Sequence, residues 1–444
     1  MNQTFRSLRH RDYRLWISGS LVSNVGTWMQ RVAQDWLVIQ VLTHGSGTAG
    51  GITTGLQFGP ILLLAPLAGT IADRFDQRRT LMVTQAVMGF LGLVLGVLVM
   101  SGAAQLWHVY VLAVLLGCAS AIDGPVRQTF VGQLVPREDL PNAIGLNSAS
   151  FNSARLIGPA LAGVLIAWIG TGPVFVLNAA SFLAPLLMLH LMRPAEPAPR
   201  ARPARGTGGM REGLAYVRAR PDLLAMFALV GVVGTFGLNF QLTSALMTSV
   251  KFGTDSAGYG LAGTVLAVGS LAGALVAARR ERPRHRLVIG AALAFGVLAS
   301  LAALMPSYAL YLLVLPFMGL ASLTLLTAAN ATVQLGTEPA MRGRVMAIYM
   351  SLMQGGTVVG GPFVGWMGTR FGPEWSILVG SIPSVVVAVG AGVFLLRRAR
   401  VRVRYSWKGS PHVRLVPLRD GGRDGGRDDE RDDERDGERN TAAA

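Results

Sequence analysis

Cysteine is almost absent: Cys118 is the single one in 444 residues. An internal disulfide and a cysteine-based metal cluster are therefore excluded. Lysine is scarce too, with only Lys251 and Lys408 among 40 basic residues. Charge of either sign is low, 14% of residues, where a soluble domain carries about 25%. Catalytic signatures are missing as well. No Walker phosphate loop, H-E-x-x-H, C-x-x-C or G-x-S-x-G occurs. Nothing here cradles a nucleotide phosphate or arms a nucleophile, so an enzyme is not expected and an ion gradient is the expected energy source.

What is present is apolar. Hydrophobic residues make up 51% of the chain, and its mean hydropathy is +0.45. That composition points to an all-α polytopic membrane protein rather than a soluble or disordered one. Glycine is abundant at 55 residues, which suits close helix packing in lipid. A hydrocarbon core needs about 20 apolar residues per helix. Twelve stretches are read as spans: 13–42, 50–72, 80–100, 107–130, 143–169, 174–191, 223–250, 257–278, 287–305, 308–332, 345–368 and 375–396. Pro60, Pro66, Pro185, Pro316 and Pro383 fall inside them, where neighbouring helices can satisfy the freed backbone groups.

The net charge of +16 is explained by where the arginines stand. Arg6, Arg9, Arg11 and Arg14 open the chain, and Arg74, Arg78 and Arg79 follow the second span. Arg137 follows the fourth, five arginines between 279 and 286 follow the eighth, and Arg342 and Arg344 follow the tenth. The alternate loops carry only Lys251 and Arg370. Arginine marks the cytoplasmic side of a bacterial-type inner membrane. Both termini are thus expected in the cytoplasm, and no nucleic-acid partner is needed to explain the charge. The first hydrophobic run is too long for the core of a cleavable signal and is expected to remain as a span.

The chain divides at 192–222, where PAEPAPRARPARGTGG reads as a flexible linker and 210–220 as a short surface helix. It separates a six-helix domain, 1–191, from a second, 223–396. The two halves repeat at a near-constant offset. Gly117 and Ser120 recur as Gly319 and Ser322, Gly158-Pro159 as Gly361-Pro362, Gly170 as Gly372, and Gly69 as Gly273. Parallel six-span repeats are a transporter plan, with the substrate site near the midplane between them. The tail, 397–444, is basic up to 417, which suits anionic lipid. Beyond it, six arginines alternate with ten acids from 419 to 439, a low-complexity composition expected to be disordered.

The loop after span two reads Gly69-Thr-Ile-Ala-Asp73-Arg74-Phe-Asp76-Gln-Arg78-Arg79. It resembles the G-x-x-x-D-R-x-G-R-R signature of the major facilitator superfamily, with Asp76 in place of the usual glycine. Gly158-Pro159-Ala-Leu-Ala-Gly163 looks like the Gly-Pro motif of its antiporter branches. The opening FRSLRHRDYRLW, then Gly26-Thr-Trp28-Met-Gln30 and Trp36-Leu-Val38, is similar to the enterobactin-exporter-like and macrolide-efflux-like subfamily, as is Met210–Arg218. The resemblance covers residues 1–400. It implies a drug:proton antiporter that exports amphipathic small molecules; a monomer without a cofactor is expected. It also implies a conformational latch at Gly69, Asp73, Arg74, Arg78 and Arg79, favoured over plain helix termination beside positive-inside arginines, and a Gly158, Pro159 and Gly163 kink that seals the pathway. Plain helix packing is an equal reading of the kink, since Gly361-Pro362 repeats it.

Ionisable residues inside spans are functional candidates because lipid makes them costly. Arg31 and Asp35 lie four apart on one face of span one, beside Gln30 and Gln34. Asp35 is either the protonatable group that couples transport or half of a structural ion pair; the readings stand level. Asp123 and Arg127 repeat the spacing in span four. They form a second proton site or, as the favoured reading, a partner of the Arg78 loop within the latch. Arg155 either binds an anionic substrate or pairs with Asp35 or Asp123. Gln34, Asn239, Gln241, Asn330 and Gln354 are the amides expected along the substrate pathway, and interhelical bridging is their commoner use. His108 and His190 sit near span ends and make no metal case. The rival functions are an uptake symporter of the same fold and a membrane scaffold that does not transport.

Overall fold

The computed structural model describes residues 3–136, 138–192, 210–278, 285–398, 401–405 and 413–417. Arg137, the linker proper and the arginines at 279–284 lie outside them, as does everything after 417. Within the described helices, the side chains of Gly69, Asp73 and Gln354 are likewise outside the description. By packing, the chain falls into two units, 1–391 and 392–444.

The first unit is a helical bundle. Its elements are α1 (Arg11–Trp36), α2 (Gly47–Arg74), α3 (Gln77–Met100), α4 (Leu106–Leu134) and α5 (Leu140–Ile169), then α6 (Thr171–Ser181) with α7 (Leu183–Leu191). After the linker come α8 (Met210–Ala219), α9 (Pro221–Val232) with α10 (Phe240–Leu246), and α11 (Ser256–Ala278). α12 (His285–Leu304), α13 (Tyr308–Gly336), α14 (Pro339–Phe371) and α15 (Pro373–Arg398) complete it. Each of the twelve expected spans is helical. Among the described residues, ten have the length and apolarity to cross a membrane. α1 carries Gln30, Arg31, Gln34 and Asp35 among its apolar residues, and α14 carries Gly355, Gly356, Thr357, Gly360 and Gly361 among its own, which lowers the hydropathy of both.

Two spans are interrupted. Phe182 separates α6 from α7, so Pro185 sits in a first turn, where a missing N–H costs nothing. The seventh span loosens into a π-helical turn, Val233–Gly237, and then breaks at Leu238 and Asn239 before α10 begins. No proline marks that break in the sequence.

The internal repeat is visible in the packing. A Cβ on Gly117 of α4 would meet the Gln57 carbonyl of α2 at 2.3 Å, and one on Gly319 of α13 would meet the Leu266 carbonyl of α11 at 2.2 Å. The same helix pair thus touches backbone to backbone in each half. Gly170 and Gly372 end α5 and α14 with φ of +80° and +111°. Only glycine takes that conformation without strain, so both halves make the same sharp turn into their last helix.

Short loops make successive long helices antiparallel, which gives the bundle an arginine-rich end, with Arg6, Arg9, Arg74, Arg78 and Arg79, and a far end. The α8 surface helix buries Gly213 and Val217, and its Glu212 pairs with Arg344 of α14 at 2.9 Å. Arg78 donates to the Leu189 and His190 carbonyls at 2.7 and 3.0 Å, capping the C-terminus of α7. Asp76 accepts from the Arg79 amide at 2.8 Å and so caps α3. The residue that departs from the family signature starts a helix.

The first arginines do more than obey the charge rule. Arg9 and His10 each reach Asp139 Oδ2 at 2.7 Å, Arg6 pairs with its other oxygen, and the Ser7 hydroxyl donates to its carbonyl. Asp139 is wholly covered. Hydrogen bonding from His10 above all, then from Arg9 with Arg6 alongside, holds its carboxyl below the usual range against desolvation. A depressed folded value stabilises above the unfolded value near ~3.9, and the gain is lost as pH falls through the folded value. Residues 3–10 are therefore expected to resist trypsin at neutral pH and to become pepsin-sensitive below about pH 4. Asp139→Asn should expose Arg6 and Arg9 to trypsin already at pH 7; continued resistance would mean that the segment docks without this carboxylate.

The second unit is described only at the end of α15 and in a two-stranded antiparallel sheet. β1 (Val401–Tyr405) pairs with β2 (Val413–Pro417), with Val403 opposite Leu415. The alternation of valine with arginine in VRVRY supplies the period-two pattern of a strand. A regular hairpin thus stands within the basic part of the tail. The acidic repeat lies outside the described residues.

Candidate functional site

The halves meet around a cavity of about 350 Å³. From the first half, α1 contributes Trp28, Arg31, Gln34 and Asp35, α2 contributes Thr54, Gln57 and Phe58, and α5 contributes Phe151 and Arg155. From the second, the break after Gly237 turns Leu238, Asn239 and Gln241 into it, α13 adds Ser322, Leu323 and Leu326, and α14 adds Met353 and Thr357. A helix interrupted at mid-bundle is how transporters expose backbone and amide groups to a ligand.

The cavity is closed on its far-end side by small residues. A Cβ on Gly51 of α2 would lie 2.3 Å from the Gly361 carbonyl of α14, and one on Gly47 would lie 2.8 Å from that of Gly365. α5 and α11 meet the same way: a Cβ on Gly260 would lie 2.5 Å from the Pro159 carbonyl, and one on Gly163 would lie 2.8 Å from the Ser256 carbonyl. A buried apolar cluster shared by both halves, including Leu37, Ile39, Ile166, Leu246 and Val364, lies along this seam. Gly158 instead packs on α1, beneath Trp28. Pro159 and Gly163, with their counterparts Pro362 and Gly365, thus stand where one half touches the other.

The charges in the cavity are unevenly partnered. Arg31 lies 4.9 Å from the centre of the Trp28 ring and 5.6 Å from that of Phe58. Arg155 lies 5.6 Å from the Trp28 ring. Among the described residues, neither has a carboxylate within ion-pair distance, so the expected Arg31–Asp35 ion pair and the pairing of Arg155 with Asp35 or Asp123 do not form. Cation–π contact with one indole is what each guanidinium has instead. Asp35, 8% exposed, accepts from the Tyr259 hydroxyl of α11 at 3.1 Å. Gln34 donates to Gln57 at 3.3 Å. Asn239 donates to the Thr235 carbonyl at 2.9 Å, and its own Oδ1 is buried with no partner among the described residues.

Other candidates lie elsewhere. Asp123 is outside the cavity: Thr84 and Gln85 of α3 donate to its Oδ1 at 2.8 and 2.7 Å, and Arg127 to its Oδ2 at 3.0 Å. Its partner is therefore the arginine one turn away, while Arg78 caps α7. Asn330 accepts from Gln334 at 2.6 Å near the arginine-rich end and does not line the cavity. The side chains of Gly69, Asp73 and Gln354 lie outside the described residues. Gln30 is engaged with Asn178 of α6. Phe240 lines the cavity along with Trp28, Phe58 and Phe151, whereas Phe236, Tyr349 and Trp36 pack against Phe363, Phe227 and Tyr259. Sequence reasoning missed Tyr259, Gln57 and Phe58. Tyrosine in a span reads as packing, and nothing local marks its partner 224 residues away.

Two repeated helical halves around a central polar cavity define a multi-pass membrane transporter of the major facilitator fold. The chain belongs to the transmembrane secretion effector family, whose profile matches residues 2–413. It is 27% identical over 391 residues to the multidrug efflux pump Tap of Mycolicibacterium fortuitum, covering 85% of this chain and 94% of that one. It is 28% identical over 269 residues to the staphyloferrin A transporter of Staphylococcus aureus. That match covers 59% of this chain and 66% of the other, just under two thirds of its length. Among solved structures, a bacterial homolog of the human lysosomal transporter Spinster, inward-facing and unoccupied, superposes with a TM-score of 0.68. That pair is 16% identical, covering 86% of this chain and 96% of that one. The chain is a transporter and not an enzyme.

Proposed function

We propose that this transporter exports amphipathic small molecules in exchange for protons, and that Asp35 is the group that carries the proton. The observation that carries this reading is that Asp35 is the carboxylate in the cavity wall, held from the opposite half by Tyr259. A buried carboxylate that joins the moving halves is placed to link proton binding to their movement. The apolar and aromatic share of the wall, Trp28, Phe58, Phe151, Leu238 and Phe240, suits an amphipathic substrate. The outward direction leans on the likeness to the efflux pump Tap. The halves rock about the cavity in alternating access. Pro159 and Gly163 seal the far end, and the Asp73–Arg79 loop latches the other. The chain acts as a monomer in the inner membrane, with both termini cytoplasmic and the basic tail against anionic lipid.

Arg31 and Arg155 favour a second reading, uptake by symport. Two cations without ion-pair partners among the described residues attract an acidic substrate. Such a substrate binds best when Asp35 is protonated, so proton and substrate would travel together. Cellular accumulation of a panel of cationic dyes, macrolides and acidic chelators decides between them, at matched levels of wild type and Asp35→Asn, with and without a protonophore. Export predicts lower accumulation of at least one compound, reversed by the substitution and by the protonophore. Higher, protonophore-sensitive accumulation would replace export with symport. Accumulation unchanged by expression for the whole panel would remove general drug export.

A further inference from the structure

Beyond the cavity lining, at the far-end seam, one hydroxyl faces two acceptors in different halves. Tyr259 Oη lies 3.1 Å from Asp35 Oδ2 of α1 and 3.1 Å from the Gln241 carbonyl of α10. A phenol carries one proton, so it cannot donate to both. Tyr259 is 2% exposed, and its ring lies nearly parallel to that of Trp36, 6.3 Å away. Its helix is pinned to α5 beside it by the Ser256 hydroxyl, which donates to the Gly163 carbonyl at 3.2 Å. The oxygen therefore has little freedom to seek other partners.

We propose that Tyr259 is the positioning residue that converts the proton state of Asp35 into the strength of the far-end closure. The proposal rests on the reading of Asp35 as the coupling group. With Asp35 ionised, the Tyr259 proton goes to the carboxylate, and a charge-assisted hydrogen bond ties α1 to α11 across the seam. With Asp35 protonated, its own O–H donates to Tyr259 Oη, and the phenol proton turns to the Gln241 carbonyl within the second half. The crossing bond is then between neutral groups. Charge-assisted bonds are about twice as strong as neutral ones. An empty, ionised transporter is thus held closed at the far end, which prevents the halves from cycling without cargo. Protonation loosens the same contact. The groups facing Asp35 are Arg31 on its own helix and Tyr259 on α11; Arg155 of α5 faces Arg31, and Tyr311 of α13, bonded to Ser244, stands behind Tyr259. α2 and α10 bring Gln57 and Gln241, which do not titrate.

The closure can be read without knowing the substrate. The Thr48 amide donates to Thr369 Oγ1 at 2.9 Å across the far end of α2 and α14. Thr48→Cys and Thr369→Cys in a Cys118→Ser background, in the full chain reconstituted in liposomes, report closure by cross-linking with a short bifunctional maleimide. The thiol reaction rate at each pH is normalised to a single-cysteine control. Without Tyr259 substitution, the cross-linked fraction should favour closure at pH 8 over pH 6 by roughly five-fold. Tyr259→Phe keeps the ring on Trp36 and removes only the hydroxyl, and it should abolish that pH dependence. Tyr308→Phe removes a comparable hydroxyl, bonded to the Gly258 carbonyl at 2.7 Å inside the second half, and should leave it unchanged. Persistence in Tyr259→Phe with loss in Asp35→Asn would overturn the role of Tyr259 and spare that of Asp35. Persistence in both would overturn the coupling reading itself.

Discussion

Asp123→Ala is expected to lower the thermal unfolding midpoint of the detergent-solubilised transporter by about 5 °C. The carboxylate is 6% exposed and takes three donors, Thr84, Gln85 and Arg127, which tie α3 to α4. Removing it strands a largely covered guanidinium, 18% exposed, stacked over Trp16 at 5.5 Å. Breaking one side of a buried pair costs about 3–5 kcal/mol because the remaining charge is uncompensated. Asp123→Asn should cost less, since its oxygen still accepts from Thr84 or Gln85. The outcome separates two roles. A stability loss with residual transport scaling to folded protein marks a structural network. An unchanged midpoint with transport abolished would make Asp123 a second proton site.

The same contrast shows what the residues alone disclose. Spans were legible because lipid demands long apolar runs, and arginine punctuates them on one side. The repeat was legible because backbone contact between helices tolerates only glycine, so Gly117 and Gly319 are constrained by the same geometry. Asp35, Arg31, Gln34, Arg155, Asn239 and Gln241 stood out as polar groups in apolar stretches, and all six line the cavity. Their partners did not stand out. Asp35 and Arg31, at helical spacing, suggest an ion pair, yet the guanidinium turns to Trp28 and the carboxylate to a tyrosine in the other half. Contacts between halves leave no trace in local periodicity. The Asp139 knot is hidden for another reason: the positive-inside rule already accounts for Arg6 and Arg9, so nothing in the sequence points to a partner. The break at Leu238 and Asn239 lacks proline and has an apolar flank, so hydropathy runs straight through it.

Gly51→Val is expected to leave the protein folded but open at its far end. Any Cβ at Gly51 would stand 2.3 Å from the Gly361 carbonyl, a backbone atom that cannot swing aside. α2 and α14 belong to different halves, so the strain is relieved by parting the halves, a movement the transport cycle already makes. Labelling of Thr369→Cys in a Cys118→Ser background by a membrane-impermeant maleimide should then rise by roughly ten-fold, because a lost close contact of this kind is worth about 1–3 kcal/mol. Gly269→Val is the counter-case. Its Cβ would meet the Pro316 carbonyl at 1.8 Å, but α11 and α13 lie in the same half. No functional movement separates them, so that substitution should remove folded protein from the membrane rather than shift its state. If both variants simply fail to fold, the glycines of α2 and α14 are ordinary packing and the seam is not where the halves part. If Gly51→Val folds, labels rapidly and no longer transports, the small residues of the seam set how readily the transporter closes.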